Sequence, residues 1–134
     1  MGEYKDGMMK VRILFWRWDD MMKDEVVVKL KGIVPKYSDI FDKVILFGSV
    51  ARDENTSKSD LDLYIELGAI TILGLGKSKQ YAAFLAELYD TVTFEDYDIL
   101  EFSRGELKQV HQSLLYKEIQ KDGIIIYDKR AKAI

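Results

Sequence analysis

The amino-acid sequence predicts one small α/β domain, and three observations carry that expectation. Short runs rich in β-branched and aromatic residues alternate with segments whose apolar residues recur at helical spacing. Glycine, proline and small polar clusters punctuate the boundaries between them. The chain has 134 residues and is 48% hydrophobic, enough to bury one core and hardly two. No internal repeat, low-complexity tract or linker interrupts it, so residues 1–134 are expected to form a single domain.

Each element can be justified in turn. Val11-Arg12-Ile13-Leu14-Phe15-Trp16-Arg17-Trp18 is apolar and aromatic on both alternating faces, which suits a strand better than a helix. The expectation is a strand or lid packed on the domain. A docking surface for another chain is the alternative, since Trp and Arg are enriched at interface hot spots. From Met22 to Val34, the residues Val26, Val27, Leu30, Ile33 and Val34 mark a helix that Pro35 ends. Val44–Phe47 reads as a strand, Gly48-Ser49 as a tight turn, and Asp53 to Ser59 as a loop of turn formers. Asp60–Glu66 is the next strand. Gly68 to Gly76 is apolar but broken by glycines and reads as a flexible connector. Within it, Gly74-Leu75-Gly76-Lys77-Ser78 falls short of a phosphate-binding P-loop, which requires Gly at the position of Thr71. Lys77 and Lys79 beside it read as solvated.

Tyr81, Phe84, Leu85 and Leu88 make an amphipathic helix starting near Ser78. Thr93 to Phe102 reads as a third strand, its Thr93–Glu101 part central in the sheet beside the first two. Ser103-Arg104-Gly105-Glu106 is a capping box. Leu107, Val110, Leu114, Leu115 and Ile119 then line one face of a last long helix, with His111 on its surface. Asp122-Gly123 ends that helix before a short buried strand, Ile124–Tyr127.

Composition narrows the function classes. A net charge of −3 argues against a protein that binds nucleic acid by bulk electrostatics. With no cysteine and one histidine, neither a disulfide framework, a thiolate zinc site nor a histidine metal cluster can form. The polar Met1-Gly2-Glu3-Tyr4-Lys5-Asp6 start does not read as a signal peptide, and Asp6 spoils the myristoylation pattern. No apolar stretch approaches the ~18 residues of a membrane span. A cytoplasmic location is expected.

The chemistry-bearing stretch runs from Gly48 to Leu63. A Gly-Ser turn follows the apolar run Val44-Ile45-Leu46-Phe47, and ten residues later comes the pair Asp60-Leu61-Asp62 among Leu63, Tyr64 and Ile65. A small turn lets backbone N–H groups approach a phosphate with no Cβ in the way. On a strand, Asp60 and Asp62 project from one face at about 6.6–6.8 Å spacing, which lets their carboxylates converge on Mg²⁺. Two like charges facing one way repel unless a cation lies between them. A phosphate cradle beside such a pair is machinery for phosphoryl or nucleotidyl transfer.

This stretch resembles the signature of the nucleotidyltransferase superfamily of DNA polymerase β-like fold, and most closely that of the minimal nucleotidyltransferases. The resemblance runs from roughly Leu30 to Asp128 and leaves residues 1–21 as an N-terminal extension. It rests on the Phe-Gly-Ser lead-in, Ala51-Arg52, Ser59-Asp60-Leu61-Asp62-Leu63, Tyr97-Asp98-Ile99-Leu100 and Gly123-Ile124-Ile125-Ile126-Tyr127. It implies the nucleotidyltransferase fold, a mixed twisted sheet flanked by helices.

The resemblance also implies roles. Asp60, Asp62 and a third carboxylate on a neighbouring strand would hold two Mg²⁺ ions. Asp98 matches the third position, while Asp96, two residues earlier and on the same strand face, competes with it. Gly48, Ser49 and Arg52 would bind the triphosphate, and Ser59 would cap the loop or touch the ligand. Val50 and Asp53 stand where the family commonly has Arg and Gly, which weakens the phosphate loop. The implied reaction moves a nucleoside monophosphate, AMP from ATP by family precedent, to a hydroxyl acceptor. The precedent for that acceptor is a tyrosine on a HEPN-type partner in a toxin–antitoxin pair. Two other readings stay open: a module with a weak or unused nucleotide site that neutralises a partner by contact, and a small-molecule transferase of the aminoglycoside type.

Overall fold

In the computed structural model the described residues are 22–56, 58–68 and 75–131, with the side chains of 75–78 outside the description. The chain runs α1 (Lys23–Ile33), β1 (Phe41–Phe47), α2 (Gly48–Ala51), β2 (Leu61–Leu67), α3 (Leu75–Thr91), β3 (Tyr97–Phe102), α4 (Leu107–Val110), α5 (Leu114–Asp122) and β4 (Ile124–Asp128). Short 3₁₀ turns occupy Val34–Tyr37 and Arg104–Glu106. The four strands form one sheet in the order β3-β2-β1-β4. β1 is antiparallel to both of its neighbours, and β2 is parallel to β3, so the sheet is mixed as expected.

Strand alternation sorts the side chains onto two faces. On one, Val44, Leu46, Leu61, Leu63 and Ile65 join Val26, Leu30 and Ile33 of α1 and Phe84 and Leu88 of α3 in the main core. The sequence signal is plain here, since Val26, Leu30 and Ile33 recur at helical spacing. Phe41 and Phe84 meet edge to face at 4.8 Å, the favoured aromatic geometry. The opposite face carries a smaller cluster of Ile45, Tyr64, Tyr116 and Ile119, roofed by α5. Asp62 and Glu66 share that second face with Tyr64, because each lies two residues from it on β2.

Several elements depart from the sequence expectation. The Gly48-Ser49 turn is the first part of a four-residue helix, α2. The third strand starts at Tyr97 rather than Thr93 and lies at an edge of the sheet rather than its centre. The residues before it are held another way: the Tyr97 hydroxyl donates to the Val92 carbonyl at 2.7 Å and accepts from Phe94 N–H at 3.0 Å. Helix α3 starts at Leu75, three residues before the expected Ser78, so its first turn takes up Gly76 from the expected connector.

The last helix is two helices. Its capping box at Ser103 and Glu106 forms as read. The chain then breaks at 111–113, where the Ser113 hydroxyl donates to the Val110 carbonyl and accepts from Tyr116 N–H. The break rotates the apolar stripe. Leu114 and Leu115 are 79% and 44% exposed, while Tyr116 and Ile119 are buried. β4 is an edge strand whose Ile125 faces outward, so it is only partly buried. The aromatic segment at 11–18 and residues 69–74 of the connector, including Gly74, lie outside the described residues.

Candidate active site

Backbone register brings the carboxylates together. Asp62 stands opposite Asp98 across the parallel β2–β3 pair and opposite Phe47 across the antiparallel β1–β2 pair. Neighbouring strands lie about 4.8 Å apart, so the two carboxylates project side by side from one face. Asp60 immediately precedes β2, where the Leu61 N–H donates to the Asp96 carbonyl at 3.0 Å and opens the ladder.

The electrostatics match that placement. Burial, then the charges of Asp98 and Asp60, push the Asp62 carboxyl up from 3.8 to about 6, while Arg52 pulls the other way. Asp96 is differently employed: its carboxylate accepts from the Tyr97 N–H at 2.8 Å, and its carbonyl starts the ladder. Of the two competitors, Asp98 is the one in register with Asp62.

Gly48 shows why this position is glycine. Its φ is +77°, in the left-handed region. A Cβ there would collide with the Asp62 carboxylate, coming within 2.8 Å of its Cγ. The end of β1 and the middle of the acidic pair are therefore in direct contact. Ser49 follows on α2, and its carbonyl accepts from the Glu54 N–H at 2.8 Å, which folds the loop back. The Arg52 Nε donates to Glu54 at 2.9 Å, and the charges of Asp122 and Asp62 also bear on this guanidinium. Ser59 braces the same loop from its far end, accepting from Thr56 N–H at 2.8 Å and donating its own N–H to the Thr56 carbonyl. Asp53 takes φ 59°, so the position where glycine was expected does demand the left-handed conformation. Val50 is fully buried in the main core.

All the donors are carboxylate oxygens, the ligand type Mg²⁺ prefers, and after burial it is the neighbouring charges of Asp98 and Asp60 that push Asp62 up. The residues therefore fit a divalent ion in donor chemistry. Among the described residues, no three acidic or histidine side chains are gathered tightly enough to hold one as they stand.

Sequence reasoning missed one cluster. His111, expected on a helix surface, has its Nε2 at 2.6 Å from the carboxylate of Glu66, which is 3% exposed. The Tyr64 hydroxyl donates to the same oxygen at 2.7 Å, and Tyr116 stacks on the imidazole at 4.4 Å. The signal was available: a glutamate ending an apolar strand needs a buried partner, and His111 is the only histidine.

Among the described residues, no helix is long and apolar enough to cross a membrane. Residues 28–132 match the family profile described as polymerase beta, nucleotidyltransferase. Among solved structures, a candidate nucleotidyltransferase from Sulfolobus solfataricus is similar at 18% identity and a TM-score of 0.47, over 81% of this chain and 85% of its own. A toxin–antitoxin structure with AMP-PNP is similar at 17% identity and a TM-score of 0.46, over 76% of each chain. No curated protein matches.

Proposed function

The chain belongs to this polymerase beta nucleotidyltransferase family, and from that premise we propose that it transfers a nucleoside monophosphate, AMP from ATP, to a hydroxyl on a partner protein. The observation that carries the proposal is the side-by-side register of Asp62 and Asp98, with Asp60 beside them and Gly48 seated on Asp62. Asp60, Asp62 and Asp98 would hold two Mg²⁺ ions, which when bound supply charge neutralisation on the phosphoryl oxygens.

The remaining roles fall to the chain itself. Gly48 lets the nucleotide phosphates approach backbone without a side chain in the way. Ser49 offers its hydroxyl and N–H to the triphosphate. Arg52 exchanges its bond to Glu54 for a phosphate oxygen, an exchange that the exposure of both side chains makes inexpensive. Ser59 ties the loop back to Thr56 just ahead of the acidic pair. Asp62, raised in the metal-free chain by burial and by the charges of Asp98 and Asp60, would be held ionised by a bound cation and serve as its ligand.

We take residues 1–134 to form one nucleotidyltransferase domain and the chain to act in the cytoplasm. The minimal-nucleotidyltransferase resemblance makes the acceptor a tyrosine of a HEPN-type partner, with this chain as antitoxin. A contact-only module is the second reading, and the engagement of Arg52 by Glu54 together with buried Val50 favours it.

Isothermal titration separates the two. ATP with Mg²⁺ should bind the wild type and not the Asp60→Asn, Asp62→Asn double variant. Co-purification of a partner from the native host, with mass spectrometry for an added nucleoside monophosphate on tyrosine, tests transfer. An unmodified partner bound as tightly by the double variant as by the wild type refutes the enzyme reading.

A further inference from the structure

A cavity of about 420 Å³ lies away from the acidic pair, lined by Asp42, Glu66, Arg104, Leu107, His111, Lys129 and Arg130. Its walls come from β1, β2, the 3₁₀ turn, α4, the 111–113 break and the residues after β4. Glu66 shares the Asp62 face of β2 four residues further on, so about 13 Å of strand separates the two sites.

The wall chemistry is specific. Both acids are already engaged: Arg104 grips Asp42 through two bonds, at 2.8 and 3.3 Å, and Glu66 is held by Tyr64 and His111. Three cations, Arg104, Lys129 and Arg130, line the same space; Arg104 is spent on Asp42, and Arg130 keeps only a loose 3.7 Å pairing with Asp128. With Nε2 committed to Glu66, the Nδ1 of His111 is the ring nitrogen left to meet a ligand. Stacking on Tyr116 fixes the ring plane. Asp42 adds acceptor oxygens in the same wall. The volume falls within the roughly 300–1,000 Å³ of small-molecule sites.

We propose that this cavity is a second binding site, separate from the nucleotide site, for a small phosphate monoester that carries hydroxyl groups. The phosphate meets Lys129, Arg130 and His111, and the hydroxyls donate to Asp42. The inference does not depend on the transfer reading, and its test is run in the Asp62→Asn background so that the acidic site contributes nothing.

The single histidine makes the test direct, because one imidazole gives one set of ¹⁵N-coupled resonances. Ribose 5-phosphate, titrated at fixed pH without divalent metal, should shift the His111 resonances saturably, and free ribose should not. Adding Lys129→Glu and Arg130→Glu, both exposed, should weaken the response by about tenfold or more. Backbone amide spectra of that variant should overlay on the parent away from the cavity. Resonances unmoved by ribose 5-phosphate, an equal response to free ribose, or an undiminished response in the charge-reversed variant would each overturn the proposal.

Discussion

Replacing Asp62 by Asn should make the metal-free protein more stable, and only above a definite pH. The folded chain pushes this carboxyl from 3.8 up to about 6, through burial first and then Asp98 and Asp60. An acid whose folded value is raised binds its proton more tightly folded than unfolded, so stability falls as pH climbs from about 4 to about 6 and stays lowered above that. A shift of about two units corresponds to roughly 3 kcal/mol at most. The carboxyl is only half-buried, so solvent screening leaves on the order of 1.5 kcal/mol. Asn keeps the shape and removes the charge. In EDTA at low salt, the variant should match the wild type near pH 4 and exceed it by that amount above pH 7, a rise in Tm of roughly 5 °C. Mg²⁺ with ATP should then raise the wild type and leave the variant unmoved. A stability difference independent of pH, or a wild type more stable than the variant at pH 8 in EDTA, refutes the argument.

Four further outcomes are expected. Gly48→Ala places a Cβ against the Asp62 carboxylate at φ +77°, so denaturation should show a loss of at least ~1 kcal/mol and titration a loss of nucleotide binding. Asp98→Asn should abolish transfer of labelled nucleotide, whereas Asp96→Asn should keep it with a small loss of stability, because Asp96 serves the Tyr97 N–H. Asp53→Gly should raise stability by about 0.5–1 kcal/mol in urea melts, since Asp53 occupies φ 59°. Ser113→Ala removes the hydroxyl that caps α5 and should lower stability by about 1 kcal/mol, with hydrogen exchange at Tyr116 N–H accelerated first.

Much of this molecule was legible because its signals are local. The Val26, Leu30 and Ile33 spacing gave α1, and the apolar runs around Leu46 and Leu63 gave the two central strands. Family spacing drew attention to the acidic pair, and β-alternation then placed Asp62 and Asp98 on one face. The misreadings occurred where tertiary contacts override local pattern. Leu114 and Leu115 continue a helical stripe in sequence, but Ser113 bonds locally and rotates the next helix away from it. Thr93 to Asp96 has strand composition, yet the Tyr97 side chain takes up backbone groups there. The pairing of His111 with Glu66 joins residues 45 apart in the chain, and no local rule links such distant positions.

The placement of β1 between β2 and β4 has a kinetic side. During synthesis β1 and β2 emerge early and can pair as a hairpin across their loop, while β4 is made last of the strands. Until it arrives, the outer edge of β1 presents unpaired N–H and C=O groups along Val44-Ile45-Leu46-Phe47, a proline-free run of high β-propensity. Closing that edge requires a contact of long sequence separation, which slows folding and lengthens the exposure. The hazard for this chain lies in its nascent state. The interval between the making of β2 and the arrival of β4 would matter more to its yield than any gain in the stability of the finished fold.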